Sequence, residues 1–244
     1  MARKYDIRGL LERVTLLQAF RAASPAVSTT LTTAVAIDDS AFAVAAITGF
    51  VAADPVLLLG QNGDGDMVTA GTPSALSIPS TTPIKVPAKI GSKLYRMTGT
   101  DLGDFQGGVT LTGSSTLNRV YGSIGRTPIA SFVTQGTMGG AAKLRDFSPE
   151  ALQFAFGHPE KTSGNGAAAT PWSGAVRGSQ IGTEGIMVIR ASGLMDDGVT
   201  TFTLDYVNAK ISAQINDTLG GGSDTATIGV QWDCTCLVYR DSDH

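Results

Sequence analysis

Cysteine and histidine supply most nucleophilic, acid–base and metal chemistry near neutral pH, and this chain has two of each in 244 residues. Cys234 and Cys236 are one residue apart. On an extended strand both thiols fall on the same face, poorly placed to bond each other. With no third cysteine available, they read as free, buried thiols of a reducing compartment. His158 and His244 do not stand at ligand spacing from them, so no metal is expected. A Ser-His-Asp arrangement would have to use His158, and no Gly-x-Ser-x-Gly turn occurs to present the serine.

The acidic and glycine-rich clusters fare no better as sites. Asn62-Gly63-Asp64-Gly65-Asp66 alternates like the start of a calcium loop, but Met67 and Pro73 stand where that loop needs its glycine and its bidentate glutamate. A glycine-rich hairpin turn explains the segment. Asp196-Asp197 before Gly198 is likewise a turn. The glycines between Asp101 and Arg126 are not followed by the lysine of a phosphate-cradling loop. Sugar-cleaving carboxylates usually come with aromatic platforms, and only 7% of residues are aromatic. The residues therefore point away from an enzyme, and no cofactor is expected.

The elements that would carry any function are strands. From Thr225 to Val238 the chain alternates, with Ala226, Ile228, Val230, Trp232, Cys234, Cys236 and Val238 on one side and Thr225, Thr227, Gly229, Gln231, Asp233 and Thr235 on the other. Fourteen such residues span roughly 45 Å as one long strand with a greasy and a wet face. Thr200–Asn216 precedes it. There Phe202, Leu204 and Tyr206 share one phase, and Val207, Ala209, Ile211, Ala213 and Ile215 take the other. Such a switch means a β-bulge or a strand that leaves one surface for another. The pair reads as a long antiparallel hairpin.

Upstream, three regions precede that hairpin. Residues 1–27 form an N-terminal arm or helix: Ile7, Leu10, Leu11, Val14, Leu17 and Phe20 recur at helical steps, against Gly9. Residues 28–97 form a small all-β module, with strands at 30–37, 41–46, 55–60, 67–69, 75–78, 83–86 and 93–97 between regularly spaced turn clusters. Residues 98–244 form a second β domain. Its parts are a glycine-rich connection at 101–126, strands at 128–135 and 141–145, and a short helix at 149–156. Ser148 caps that helix, Pro149 opens it and Gly157 stops it. A second loop at 159–182 carries Trp172, packed locally or anchoring a partner. Strands at 184–191 and in the closing hairpin complete the domain.

The totals agree with a mainly β protein. Glycine numbers 30, charged residues make up 16%, and the net charge of −3 gives no general attraction to nucleic acid. The first 25 residues hold five cations against two carboxylates, and residues 161–244 hold five against nine. A basic arm and an acidic body of this kind could meet head to tail between copies. The charged start is not followed by a leader-like apolar run, and no apolar stretch is long enough to span a membrane.

Two stretches together resemble virion proteins of tailed bacteriophages. Thr30–Ile37 through Thr48–Gly60, with Gly49-Phe50 and Asp54-Pro55, resembles the small β modules those proteins carry. Residues 95–240 have the order of the tail tube (major tail) protein family: a strand pair, a glycine-rich connection, a helix opened by Phe147-Ser148-Pro149-Glu150, a loop, and two long strands around Tyr206–Ser212 and Thr225–Val230. The resemblance implies a tail-tube-like β-sandwich or barrel with one short α-helix and a long hairpin. It implies a structural subunit of stacked hexameric rings, forming a conduit for DNA in the virion and assembled in the bacterial cytoplasm. Its partners are then further copies, other phage tail proteins and DNA in transient, non-specific passage, with no membrane. The lumen-facing candidates are Thr225, Thr227, Gln231, Asp233, Thr235, Asn208 and Lys210, with Lys210 expected to pair with a carboxylate. The inter-subunit candidates are Arg3, Lys4, Arg8, Trp172 and Phe105. The other readings are a capsid decoration or neck protein and a carbohydrate-binding adhesin.

Overall fold

The computed structural model of the protein describes residues 13–22, 26–121, 128–145, 186–195, 197–215 and 227–242. These form fourteen strands: β1 (Val14–Ala22), β2 (Ser28–Thr30), β3 (Ala41–Ala43), β4 (Pro55–Leu59), β5 (Gly65–Thr69), β6 (Ser77–Pro79), β7 (Lys93–Asp101), β8 (Phe105–Tyr121), β9 (Pro128–Leu144), β10 (Met187–Leu194), β11 (Thr201–Val207), β12 (Lys210–Ile215), β13 (Ile228–Cys234) and β14 (Cys236–Asp241). No helix occurs among the described residues. The short α-helix expected at 149–156 is thus not borne out; that stretch lies outside them.

The largest sheet runs β14-β11-β10-β1-β7-β4-β5, with β2 also on β7, and curls into a nearly closed barrel. The seven strands on that path each bury an apolar side chain in one interior cluster: Phe20, Leu57, Met67, Met97, Val188, Val207 and Val238. Strands from 28–97 and from 98–244 share this sheet, because β1 pairs with β7 on one side and β10 on the other. The outer side of β4, β5 and β7 is covered by residues 31–50 and the β3–β6 pair, around Phe42, Ile78 and Ile84. The outer side of β1, β10 and β11 meets a second sheet, ordered β12-β13-β9-β8. Between them lies the largest core, including Leu17, Ile189, Phe202, Tyr206, Ile211 and Trp232.

β1 replaces the N-terminal helix over residues 14–22. Leu17 and Ala19 face the large core while Phe20 faces the barrel interior. A register shift between Val14 and Leu16 adds to this. A strand buried on both faces and bulged once imitates helical steps of three. Residues 105–121, read as part of a connection, are the long strand β8 against β9. The two strands expected at 128–135 and 141–145 are one, because Gly139 and Gly140 pair within β9 instead of turning the chain. A Cβ on Gly139 would sit 1.9 Å from the Trp232 carbonyl oxygen, and one on Gly140 would sit 2.6 Å from the Trp232 ring. These glycines admit the indole and its backbone. Segment 31–37 makes isolated bridges at Leu31 and Val35, and 83–86 makes no strand.

The closing hairpin is bent in the middle. Asn208 takes φ +54°, a conformation that asparagine tolerates better than most residues. There β11 leaves the barrel sheet and continues as β12 in the smaller one. This is the strand that changes surface, and it accounts for the phase switch: Tyr206 and Ala209 both face the large core. On the return strand the break falls at Thr235. The single stripe of alternating apolar residues therefore serves two cores, Trp232 filling the large one and Val238 the barrel.

Candidate functional site

One face of the four-stranded sheet is built into the large core and the other is wet. Three rows cross the wet face from β12 to β8. They are Lys210, Asp233, Gly139 and Thr112; then Gln231, Ala141 and Thr110; then Gly229, Lys143 and Gln106. Lys210, Asp233, Gln231, Lys143, Thr110 and Gln106 are exposed. Small residues at Gly139, Ala141 and Gly229 keep this face low. Where β8 steps from Gln106 to Thr110 the register shifts, and the step leaves a concavity of about 490 Å³.

Three of the lumen-facing candidates come together here: Gln231, Asp233 and Lys210, with Lys210 directly across from Asp233. Thr227 is half-buried just before β13. Asn208 lies at the bend between sheets, off this face. Thr235 is exposed at the break, where its hydroxyl donates to the Gly63 carbonyl at 2.5 Å and contacts the Val207 carbonyl at 3.3 Å. It clips the turn before β5 to the bend. Thr225 lies outside the described residues, as do Arg3, Lys4, Arg8 and Trp172. Phe105 opens β8, half-buried against the large core. The contributions of β8 and β9, Gln106, Thr110, Thr112 and Lys143, were not foreseen. The alternation of Thr110 and Thr112 with Val109 and Leu111 was the available signal.

The edges of the two sheets differ. Where β5 and β14 face one another across the barrel seam, side chains and a neighbouring segment occupy the edge. Thr81 N–H donates to the Thr69 carbonyl at 2.9 Å, and Arg190 Nη2 reaches the Met67 carbonyl at 3.4 Å. The buried Asp66 accepts Lys85 N–H at 2.6 Å and bonds to Arg240 of β14. Asp205, fully buried, takes a fork of two bonds from Arg190 at 2.6 and 2.8 Å and a third from Arg240 at 3.3 Å. Two arginines and two aspartates thus bridge the seam. In the four-stranded sheet, by contrast, β12 and β8 are outermost, and no strand pairs with the far side of either among the described residues. β8 and β9 also run on past Met138, where β13 ends. Ser114–Tyr121 and Pro128–Thr137 form a two-stranded ribbon of roughly 25–30 Å, with Leu111 and Met138 exposed at its root.

No activated nucleophile occurs among the described residues. Burial pushes the Cys234 thiol up to about 11, helped by Cys236 and Asp233, and burial raises Cys236 as well. Both thiols stay protonated and unreactive near neutral pH. No group of three or more His, Cys, Asp or Glu side chains is placed to hold a metal among the described residues, and no helix there is long and apolar enough to cross a membrane. Comparison with protein-family models, with curated proteins and with solved structures finds no match to this chain.

Proposed function

We propose that this chain is a structural subunit of a bacteriophage tail tube, joining copies of itself edge to edge into hexameric rings that stack around a DNA conduit. The carrying observation is a four-stranded sheet whose two edges have no partner strand among the described residues, beside a barrel whose own edges are guarded. Open edges invite pairing with another chain, and proteins that do not want it cover them. Every neighbour in the sheet is antiparallel, so with four strands β12 and β8 run in opposite directions. Rotating one copy onto the next then sets β8 beside β12 with the alternation unbroken. An odd number of strands would force a parallel joint.

Six sheets give about twenty-four strands. At a spacing of ~4.8 Å and a tilt near 40° they close at a backbone diameter of roughly 48 Å, wider than barrels that already hold a water channel. The wet face would line the lumen. β13 contributes no cation to it and Lys210 stands across from Asp233, so apart from Lys143 the described rows offer little attraction to a polyanion in transit. The β8–β9 ribbon, marginal as an isolated pair, would reach the adjoining ring. In this role the chain is not an enzyme; it meets its own copies, other tail proteins at the tube ends and DNA in passing.

Placing lysines on an open edge strand guards it. Thr110→Lys with Thr112→Lys is therefore expected to leave a folded monomer in sedimentation velocity, where the parent protein sediments as rings or tubes. A parent protein that stays monomeric at every concentration would refute the reading.

A further inference from the structure

The concavity at the β8 step has a donor-rich lining that the conduit role does not call for. We propose that it is a seat for a phosphate-bearing ligand, with Lys143 supplying the charge. Its polar side chains are Gln106, Thr110, Lys143 and Gln231, contributed by three strands, over a floor of Ala141 and Gly229. Two amides, a hydroxyl and an ammonium offer many donors, and among the described residues no carboxylate lines the hollow. No aromatic ring among the described residues lines it to stack a sugar. That balance selects an oxyanion, and lysine is a regular point-charge partner of phosphate.

The cross-strand neighbours of Lys143 are Gly229 and Gln106, both uncharged. Asp233, the carboxylate of this face, lies two rows away beside Lys210. The hollow is shaped by a deliberate irregularity. Between Gln106 and Thr110 three residues of β8 stand against Ala142 alone. Gly107 and Gly108 both take positive φ, +77° and +78°, and a Cβ on Gly107 would meet open space. Glycine is needed there for the backbone path, not for lack of room. Bulges of this kind are over-represented beside binding sites. The volume, about 490 Å³, lies within the usual range for a small ligand and exceeds the needs of a bare phosphate. A nucleotide or a short run of phosphodiester backbone fits the chemistry. All the lining strands belong to one chain, so the seat is complete in a single molecule.

Equilibrium dialysis of the purified protein tests this, using radiolabelled inorganic phosphate, a nucleoside monophosphate and a short DNA duplex at fixed ionic strength. Saturable binding of about one equivalent per chain is expected. Lys143→Ala should weaken it roughly tenfold or more, Lys143→Arg should retain it, and Lys210→Ala should leave it unchanged. Binding of all three probes assigns the seat to a nucleic-acid strand; binding of the phosphate and the mononucleotide without the duplex assigns it to a small ligand. Both outcomes support the seat. Absence of saturable binding, or equal loss in Lys143→Ala and Lys210→Ala, overturns it. Whether the protein forms tubes does not enter the readout.

Discussion

Asp205 shows how a chain with few charged residues uses them. Its carboxylate is fully buried and held by Arg190 and Arg240, with Arg240 passing on to Asp66 across the seam. Arg190 also lies 5.4 Å over the Phe20 ring. Removing one member of such a group strands the others. Asp205→Asn should cost about 3–5 kcal/mol in urea unfolding, and a loss under 1 kcal/mol would show that the seam does not depend on it. Cys234 makes a pH prediction. Its folded pKa of about 11 lies above the ordinary 9.0, so the unfolded chain loses this proton first. Stability is full below pH 9 and declines as pH rises toward 11. Cys234→Ala should flatten that decline; an unchanged slope in urea titrations at several alkaline pH values would contradict the assignment.

At the scale of elements, the contact between β9 and β13 decides most. Gly140→Ala meets the Trp232 ring, whereas Gly139→Ala meets backbone. Both should destabilise by about 1–3 kcal/mol, but only Gly140→Ala should be partly rescued by Trp232→Phe. Equal rescue of both would mean that the close approach is not what fixes these glycines. The same contact explains where the sequence misleads. Alternation showed β11, β13 and β14, and the switch near Val207 showed that the hairpin crosses between surfaces. Gly139-Gly140 and Gly107-Gly108 looked like loop residues, because the reason for a glycine lies on a neighbouring strand or in a bulge, and neither is written locally. With the β8–β9 hairpin hidden in this way, half of the wet face, Lys143 included, was hidden too. β1 misled for a related reason: two cores drawing on one strand mix their periods. The guarded and unguarded edges could not be read at all, since Arg240 meets Asp66 only through tertiary pairing.

In the whole molecule two features stand side by side. A nearly closed barrel has its edges bridged by charge and by a covering segment, and it carries a small antiparallel sheet whose edges are bare among the described residues. The barrel gives a rigid mount through the shared core around Trp232 and Tyr206, whose rings meet edge-on at 5.4 Å. Electron microscopy of the purified protein puts this most directly to the test. The account predicts six-fold rings or tubes in which β8 of one copy lies hydrogen-bonded beside β12 of the next, with Gln231 and Asp233 facing the bore. Solitary molecules whose β8 and β12 edges are covered by their own chain would contradict it.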